Sequence, residues 1–489
     1  MNLSDLMTTS SERHGDRTAI RQGDVALTYT ALERASALLA GMLQQHGVRP
    51  GDRVGVMLPN VAHFPVCYYG ALRAGAAIVP MNVLLKEREV AFYMADSDAK
   101  VLFVWHDFAD AAHAGARDAE VVVVEPAAFD AVLAGGDPVQ TLDRRPDDTA
   151  VVLYTSGTTG TPKGAELTHA NLAENVAVCL ELFELGPDAV VLGALPLFHA
   201  FGQTCALNAA MAAGGSLSLL PRFDAGKALD IIERDRVTVF EGVPTMYSAM
   251  LHHPTAVDTT SLQTCVSGGA AMPVEVLHAF ERRFDCTILE GYGLSETSPV
   301  AAFSRRDRER KPGSIGLPVR GVEMRLIDEN EGVGEIAIRG HNVMKGYWNK
   351  PEATASAIDA DGWFHTGDMG RIDDDGYFFI VDRKKEMIIR GGFNIYPREI
   401  EEVLHEHPDV MEAIIIGIPH DELGEEVGAA VVLKPGHQAE ADDIRRFVKD
   451  RVAAYKYPRH VWFEDALPKG PTGKILRREV KPPSLAGPG

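Results

Sequence analysis

The residues best suited to chemistry lie in one run, Tyr154-Thr155-Ser156-Gly157-Thr158-Thr159-Gly160-Thr161-Pro162-Lys163-Gly164, directly after the apolar stretch 150–153. Glycines let backbone N–H groups approach an anion, and hydroxyls with a lysine ammonium add donors and charge, so the run suits phosphate. Its order is not that of a Walker A loop, where Gly-Lys-Ser/Thr opens a helix, which disfavours an ordinary P-loop kinase or ATPase. Other candidates are weak when taken singly. Glu296 reads as a surface carboxylate, Asp368 as a turn residue, His199 as a core histidine, and Lys474 as a solvated Gly-Lys turn.

Their order along the chain changes that. The loop is followed by Leu195-Pro196-Leu197-Phe198-His199, Gly268-Gly269-Ala270, Gly291-Tyr292-Gly293-Leu294-Ser295-Glu296-Thr297, and a segment from Gly340 to Tyr347-Trp348. Then come Trp363-Phe364-His365-Thr366-Gly367-Asp368, Asp382-Arg383-Lys384-Lys385-Glu386, Gly391-Gly392-Phe393-Asn394-Ile395-Tyr396-Pro397, and Pro471-Thr472-Gly473-Lys474. Across nearly the whole chain this series resembles the acyl-adenylate-forming superfamily, and within it the acyl-CoA synthetases. Segment 290–300 is most similar to bacterial fatty-acyl-CoA ligases.

The resemblance implies an enzyme that joins a carboxylic acid to AMP from ATP, releasing pyrophosphate, and then passes the acyl group to coenzyme A. It also implies a role for each matched position. Thr155, Ser156, Gly157, Thr158, Thr159, Gly160 and Lys163 would wrap the β- and γ-phosphates. Glu296 would hold Mg²⁺, a hard cation that takes oxygen ligands and keeps several waters. Gly269, Ala270, Tyr292 and Thr297 would complete the ATP site, Tyr292 facing adenine and Thr297 the α-phosphate. Asp368 and Arg383 would hold the ribose, which is positioning rather than bond-making. Lys474 is the principal catalytic candidate, because charge builds between two anionic reactants in the transition state. His199 would gate the acyl site. Lys385 would be the hinge, and Gly391 with Gly392 would line the CoA channel. Acetylation of Lys474 would remove its charge.

The acid narrows by subtraction. Amino-acid adenylation domains carry an aspartate just after the Phe of the residue-195 region, whereas here Phe198 precedes His199. Malonyl-CoA synthetases carry an arginine where this chain has Gly291. Phe201, Val243, Met246, Gly268, Gly291 and Gly293 are expected to line an apolar acyl pocket. A medium- or long-chain fatty acid is therefore expected, with an aryl or aryl-propenoic acid second. An acyl-AMP ligase that loads a carrier protein is the alternative in acceptor. A non-catalytic nucleotide binder is disfavoured by the presence of both Glu296 and Lys474.

These residues need a scaffold. Strand-like runs at 53–58, 77–80, 100–105, 121–124 and 237–240 alternate with helical patterns, which implies an α/β fold with parallel-rich sheets covered by helices. After about residue 380 the pattern turns to a small mobile α+β unit, with strands at 377–381, 411–417 and 427–433 and helices at 397–407 and 441–453. The expected division is 1–384 and 385–489. Between Ile327 and Gly334 the chain is shorter than the family's usual linker.

The chain has 489 residues, 46% hydrophobic and 24% charged, ample for sizeable cores in more than one domain. Its net charge of −21 argues against nucleic acid as a partner. Five scattered cysteines without a Cys-x-x-Cys pair suggest reduced thiols and a cytoplasmic setting. No secretory signal or membrane span is expected. A homodimer is allowed but not required.

Overall fold

The computed structural model describes residues 1–155, 162–330, 332–391, 393–420 and 422–483. Among them the strands form four sheets. The first has nine strands, with six in parallel at its centre: Thr18–Gln22, Ser216–Leu219, Val190–Gly193, Val239–Gly242, Thr264–Ser267 and Thr287–Gly293. The second has seven, with Thr149–Thr155, Ala77–Pro80, Arg53–Met57, Ala99–Trp105 and Glu120–Val124 in parallel. Apolar runs such as Val101–Val104 in strand Ala99–Trp105 read clearly as strands because parallel strands are covered on both faces.

Helix His63–Arg73 shows why the two sheets stack. Every residue from Phe64 to Arg73 is buried, so the helix has no solvent face. It shares one core with Val54, Val56 and Ile78 of the second sheet and Val191, Leu217 and Leu219 of the first. A helix apolar all round belongs between layers. The flanking helices are capped from their own sequence. Thr168 accepts from Asn171 N in a capping box that opens His169–Phe183, and Asp224 accepts from Lys227 N to open Ala225–Asp235.

The third sheet is antiparallel: Val322–Asn330, Val333–Gly340, Phe364–Ile372 and Phe378–Arg383. The shortened linker lies at the outer end of its first hairpin, where Asn330 pairs with Val333. The next strand, Ile388–Arg390, joins a fourth sheet with Phe393–Ile395, Gly424–Leu433, Val410–His420 and His460–Phe463. Helices Pro397–His405 and Ala441–Lys449 cover it, burying Ile400, Leu404, Ile444 and Val448 in a core of its own. Sheet membership thus changes between Arg383 and Ile388, and Lys385 lies in that crossing. The parallel-rich α/β body followed by a small α+β unit is the architecture expected. Four of the five free cysteines meet in two contacting pairs, Cys179–Cys205 at 3.7 Å and Cys265–Cys286 at 3.6 Å. No helix among the described residues is long and apolar enough to cross a membrane.

Candidate active site

The site forms at the carboxyl ends of the parallel strands, where open α/β sheets leave a crevice. Strand Thr149–Thr155 ends at Thr155, which pairs with Lys163 at the start of the antiparallel strand Lys163–Thr168. The phosphate run therefore joins two hairpin strands and does not open a helix. Ser156, Gly157, Thr158, Thr159 and Gly160 lie outside the described residues. The two ends of the run are placed: Thr155 Oγ1 donates to Glu296 Oε1 at 3.0 Å, and Lys163 Nζ stands 5.2 Å from the Tyr347 ring centroid. Tyr347 O–H also donates to Glu296 Oε1, at 3.0 Å. One carboxylate oxygen of Glu296 is held by two hydroxyls. Its backbone carbonyl is fixed too, accepting from Met344 N at 2.9 Å.

Among the described residues no group of three or more His, Cys, Asp or Glu side chains could hold a metal by itself. Glu296 has one oxygen tied and one free of hydrogen bonds to described residues. Such a lone carboxylate suits a magnesium ion that takes its other ligands from phosphate oxygens and water.

Across the cleft, the third sheet supplies the second cluster. Asp368 and Arg383 are register partners on adjacent strands, and Arg383 Nε lies 3.0 Å from Asp368 Oδ1. Tyr292 O–H donates to Asp368 Oδ2 at 2.6 Å. Burial and the Asp368 charge push the Tyr292 hydroxyl well above its ordinary pKa, and Asp368 raises that of Arg383. The Asp368 backbone is set by its neighbours: its N–H donates to Thr366 Oγ1 at 3.1 Å, and Gly367 takes φ 72°, a left-handed turn that glycine adopts freely. Gly367 N donates to Glu335 Oε1 at 3.0 Å, and Lys384 Nζ reaches Glu335 Oε2 at 2.9 Å.

Lys474 arrives from the last sheet's unit into a cleft of about 920 Å³ that Tyr292, Asp368, Arg383, Gly269, Ala270 and Val243 also line. Its turn is anchored on the large body, where Thr245 Oγ1 donates to Gly473 O at 2.7 Å. The Lys474 side chain is open to the cleft's solvent yet ringed by protein. That enclosure, with Arg383 nearby, lowers its pKa. Arg398 spans the same junction, donating from Nη1 to Ile380 O at 2.7 Å and from its N–H to Asp382 Oδ2 at 3.2 Å. Glu290 lines the cleft opposite, and burial raises its carboxyl to about 8 despite Arg398.

His199 precedes a π-helix, Phe201–Asn208, a winding frequent at functional sites. Its Nδ1 accepts from Phe201 N–H at 3.3 Å, which leaves the proton on Nε2. Burial, then the Lys474 charge, lowers its pKa to about 4, so the ring is neutral at pH 7.

Three expectations need correction. Thr297 is fully buried, and its hydroxyl is engaged within its own turn by Pro299 O at 2.6 Å and Leu294 N at 2.8 Å. That hydroxyl is turned away from the cleft, whereas Ser295, half-buried in the same turn, has its hydroxyl free of hydrogen bonds to described residues. The pocket glycines are not surrounded by empty space. A side chain at Gly291 would meet the Phe303 ring at 2.5 Å, one at Gly268 the Phe201 ring at 3.0 Å, and one at Gly293 the Pro299 carbonyl at 1.6 Å. Of the six expected pocket residues only Val243, Gly291 and Gly293 line the cleft, while Met246 packs in the core beside Val243. Gly391, expected at the site only after rotation about Lys385, sits here at a hairpin tip with φ 57°, its N–H on Leu423 O at 2.8 Å. Gly392 lies outside the described residues.

The sequence assigned no role to Thr245, to Arg398, which follows the run 391–397, or to Glu290, which opens the matched segment 290–300. Tyr347 falls in a matched segment, and only the structure shows that its hydroxyl meets Glu296.

Comparison with known proteins agrees with this geometry. Residues 7–348 match the AMP-binding enzyme family, and residues 399–474 match the AMP-binding enzyme C-terminal domain. The chain is 41% identical to a feruloyl-CoA synthase of Amycolatopsis sp, over 95% of each chain. It is 38% identical to a long-chain-fatty-acid–CoA ligase of Bacillus subtilis (strain 168), over 98% of this chain and 94% of that one. MatB from Rhodopseudomonas palustris, solved with ATP bound, superposes with a TM-score of 0.91 at 33% identity, covering 98% of each chain. With a family model matched over residues 7–348 and relatives above 30% identity along nearly the whole length, the chain belongs to the AMP-binding enzyme family as an AMP-forming acid–CoA ligase.

Proposed function

We propose that this ligase activates a monocarboxylic acid with an apolar body, a medium- or long-chain fatty acid in the first instance. The observation that carries the mechanism is Lys474 sharing one cleft with Asp368, Arg383 and Tyr292. In the first half-reaction a carboxylate oxygen attacks the α-phosphorus of ATP and the bond to pyrophosphate breaks. Lys474 would stand between the two anions as charge accumulates. Asp368, already paired with Arg383, would take the ribose hydroxyls in place of the Tyr292 O–H, leaving the Tyr292 ring for adenine. Ser295, rather than Thr297, would offer its hydroxyl to the α-phosphate. Thr155 and Glu296 would hold magnesium, which neutralises phosphate charge when bound.

In the second half-reaction the thiolate of CoA attacks the acyl carbonyl and AMP leaves. Rotation about Lys385 would withdraw Lys474 and bring Gly391 and Gly392 to the cleft, a gating step between two uses of one site. His199, neutral and close enough to feel the Lys474 charge, would act as the gate of the acyl site.

An aryl-propenoic acid is the second reading. It is favoured by the Phe201 and Phe303 rings, which narrow the acyl side, and by the similarity to a feruloyl-CoA synthase. The absence of an acidic residue after Phe198 and the Phe303 ring beside Gly291 disfavour amino acids and dicarboxylates. ATP–pyrophosphate exchange across a panel of acids tests the proposal. Strong exchange with octanoate or longer acids supports it. Exchange with malonate or an amino acid alone overturns it.

A further inference from the structure

Strand Val239–Gly242 carries a carboxylate where the adjacent strand carries Val266. Glu241 has no exposure to solvent, and neither carboxyl oxygen has a hydrogen-bond partner among the described residues. Alternation along the strand and its register with Val266 put Glu241 on the same face as Val239, within the largest apolar cores. Its charge is felt by Cys205 on the overlying π-helix and by Tyr247 behind the strand. Burial pushes its pKa up to about 8, so the group is an uncharged acid at neutral pH. A buried polar group without a partner is costly, and one in a native fold calls for an explanation.

Its position supplies one. Glu241 is one residue short of the carboxyl end of its strand, next to Gly242 and the cleft-lining Val243. On the π-helix, the Phe201 ring lies against Gly268, whose neighbours Ser267 and Gly269 line the cleft, and Cys205, which feels Glu241, follows about one turn further along. Thr204 and Ser267, the neighbours of Cys205 and Gly268, likewise leave buried hydroxyls without partners. An acyl chain that entered past Phe201 would run toward this group of orphaned polar atoms.

We infer that Glu241 is a specificity determinant that recognises a hydroxyl at the far end of the acid, on an aryl ring or on an alkyl chain. This inference rests on the ligase reading and names the tail chemistry of its substrate. An uncharged carboxyl both donates and accepts, which matches a hydroxyl in both directions. A site built to hydrogen-bond a substrate hydroxyl rejects the analogue that lacks it, because the buried acid is then left unpaired.

The test compares acids of matched shape: 12-hydroxydodecanoate against dodecanoate, and 4-hydroxycinnamate against 4-methylcinnamate. Values of kcat/KM for pyrophosphate release are measured for the wild type, Glu241→Gln and Glu241→Leu. The wild type is expected to prefer the hydroxylated member of one pair about ten-fold or more, and the preferred pair tells an alkyl from an aryl tail. Glu241→Gln keeps the preference, since an amide also donates and accepts. Glu241→Leu cancels or inverts it. A wild type indifferent to the hydroxyl in both pairs overturns the inference without any variant, and so does a Glu241→Leu enzyme with an unchanged ratio. Pyrophosphate release from these acids with no hydroxyl preference sinks the inference alone, whereas release from none of them sinks the ligase reading as well.

Discussion

Replacing Lys474 by alanine should separate the two half-reactions, and the structure sets the size of the effect. Arg383, which shares the cleft, is already committed to Asp368 at 3.0 Å and is not free to take over the lost charge. Two unit charges about 4 Å apart at an effective dielectric of about 20 interact by about 4 kcal/mol. Each 1.36 kcal/mol is tenfold in rate, so adenylation should fall about 10³-fold. The turn itself should survive, because its contacts use the backbone: Gly470 N donates to Lys474 O at 2.8 Å, and Gly473 O accepts from Thr245. ATP–pyrophosphate exchange measures the first half-reaction, and thioester formation from a supplied acyl-adenylate and CoA measures the second. The second should be within about two-fold of wild type, since Lys474 acts on the phosphate and not on the thioester. Equal losses in both would refute the assignment.

Thr245→Val removes the hydroxyl that holds Gly473 and should slow adenylation about five-fold, the worth of about one hydrogen bond, without slowing thioester formation; equal slowing of both steps would show a general defect. Tyr347→Phe removes one of two donors to Glu296 Oε1 and should raise the KM for magnesium-ATP several-fold with kcat little changed; an unchanged KM would show that this hydroxyl is idle. Glu241→Gln should change the pH dependence of stability. Because Glu241 titrates near 8 when folded and near 4.5 when unfolded, the folded state binds more protons between those values, and wild-type stability declines as pH rises. The glutamine variant lacks that term, so its advantage in urea unfolding should grow from about 1 kcal/mol at pH 5 to about 3 kcal/mol at pH 7. Parallel unfolding profiles at the two pH values would contradict it.

What could be foreseen from the sequence followed a physical division. Parallel strands such as Arg53–Met57 and Glu120–Val124 announce themselves by unbroken apolar runs. The motif order brought Glu296, Asp368, Arg383 and Lys474 into view as a group. The errors lie where a residue's partner is distant in sequence. Thr297 belongs to a hydroxyl-rich motif, but whether its oxygen faces outward depends on a local turn closed by Pro299. Gly268 and Gly291 are expected to line the acyl pocket, and the rings that crowd them come from Phe201 and Phe303, a helix and an antiparallel neighbour away. The strand-like run 237–240 stops short of Glu241; the structure places the strand at Val239–Gly242, with that carboxyl in the core.

The π-helix at Phe201–Asn208 has a consequence for how this site can change by insertion and deletion. Each residue of an α-helix turns the chain by about 100°, so deleting one residue from 202–204 would let the segment tighten to ordinary α winding while rotating everything before it. Phe201 and His199 would then leave the acyl entrance, although no side chain at the site had been altered. The hairpin at Val322–Gly340 is already shortened at its outer end and holds no residue of the cleft. The one segment should tolerate changes in length and the other should not, so variation in acyl preference at the π-helix is confined to substitution.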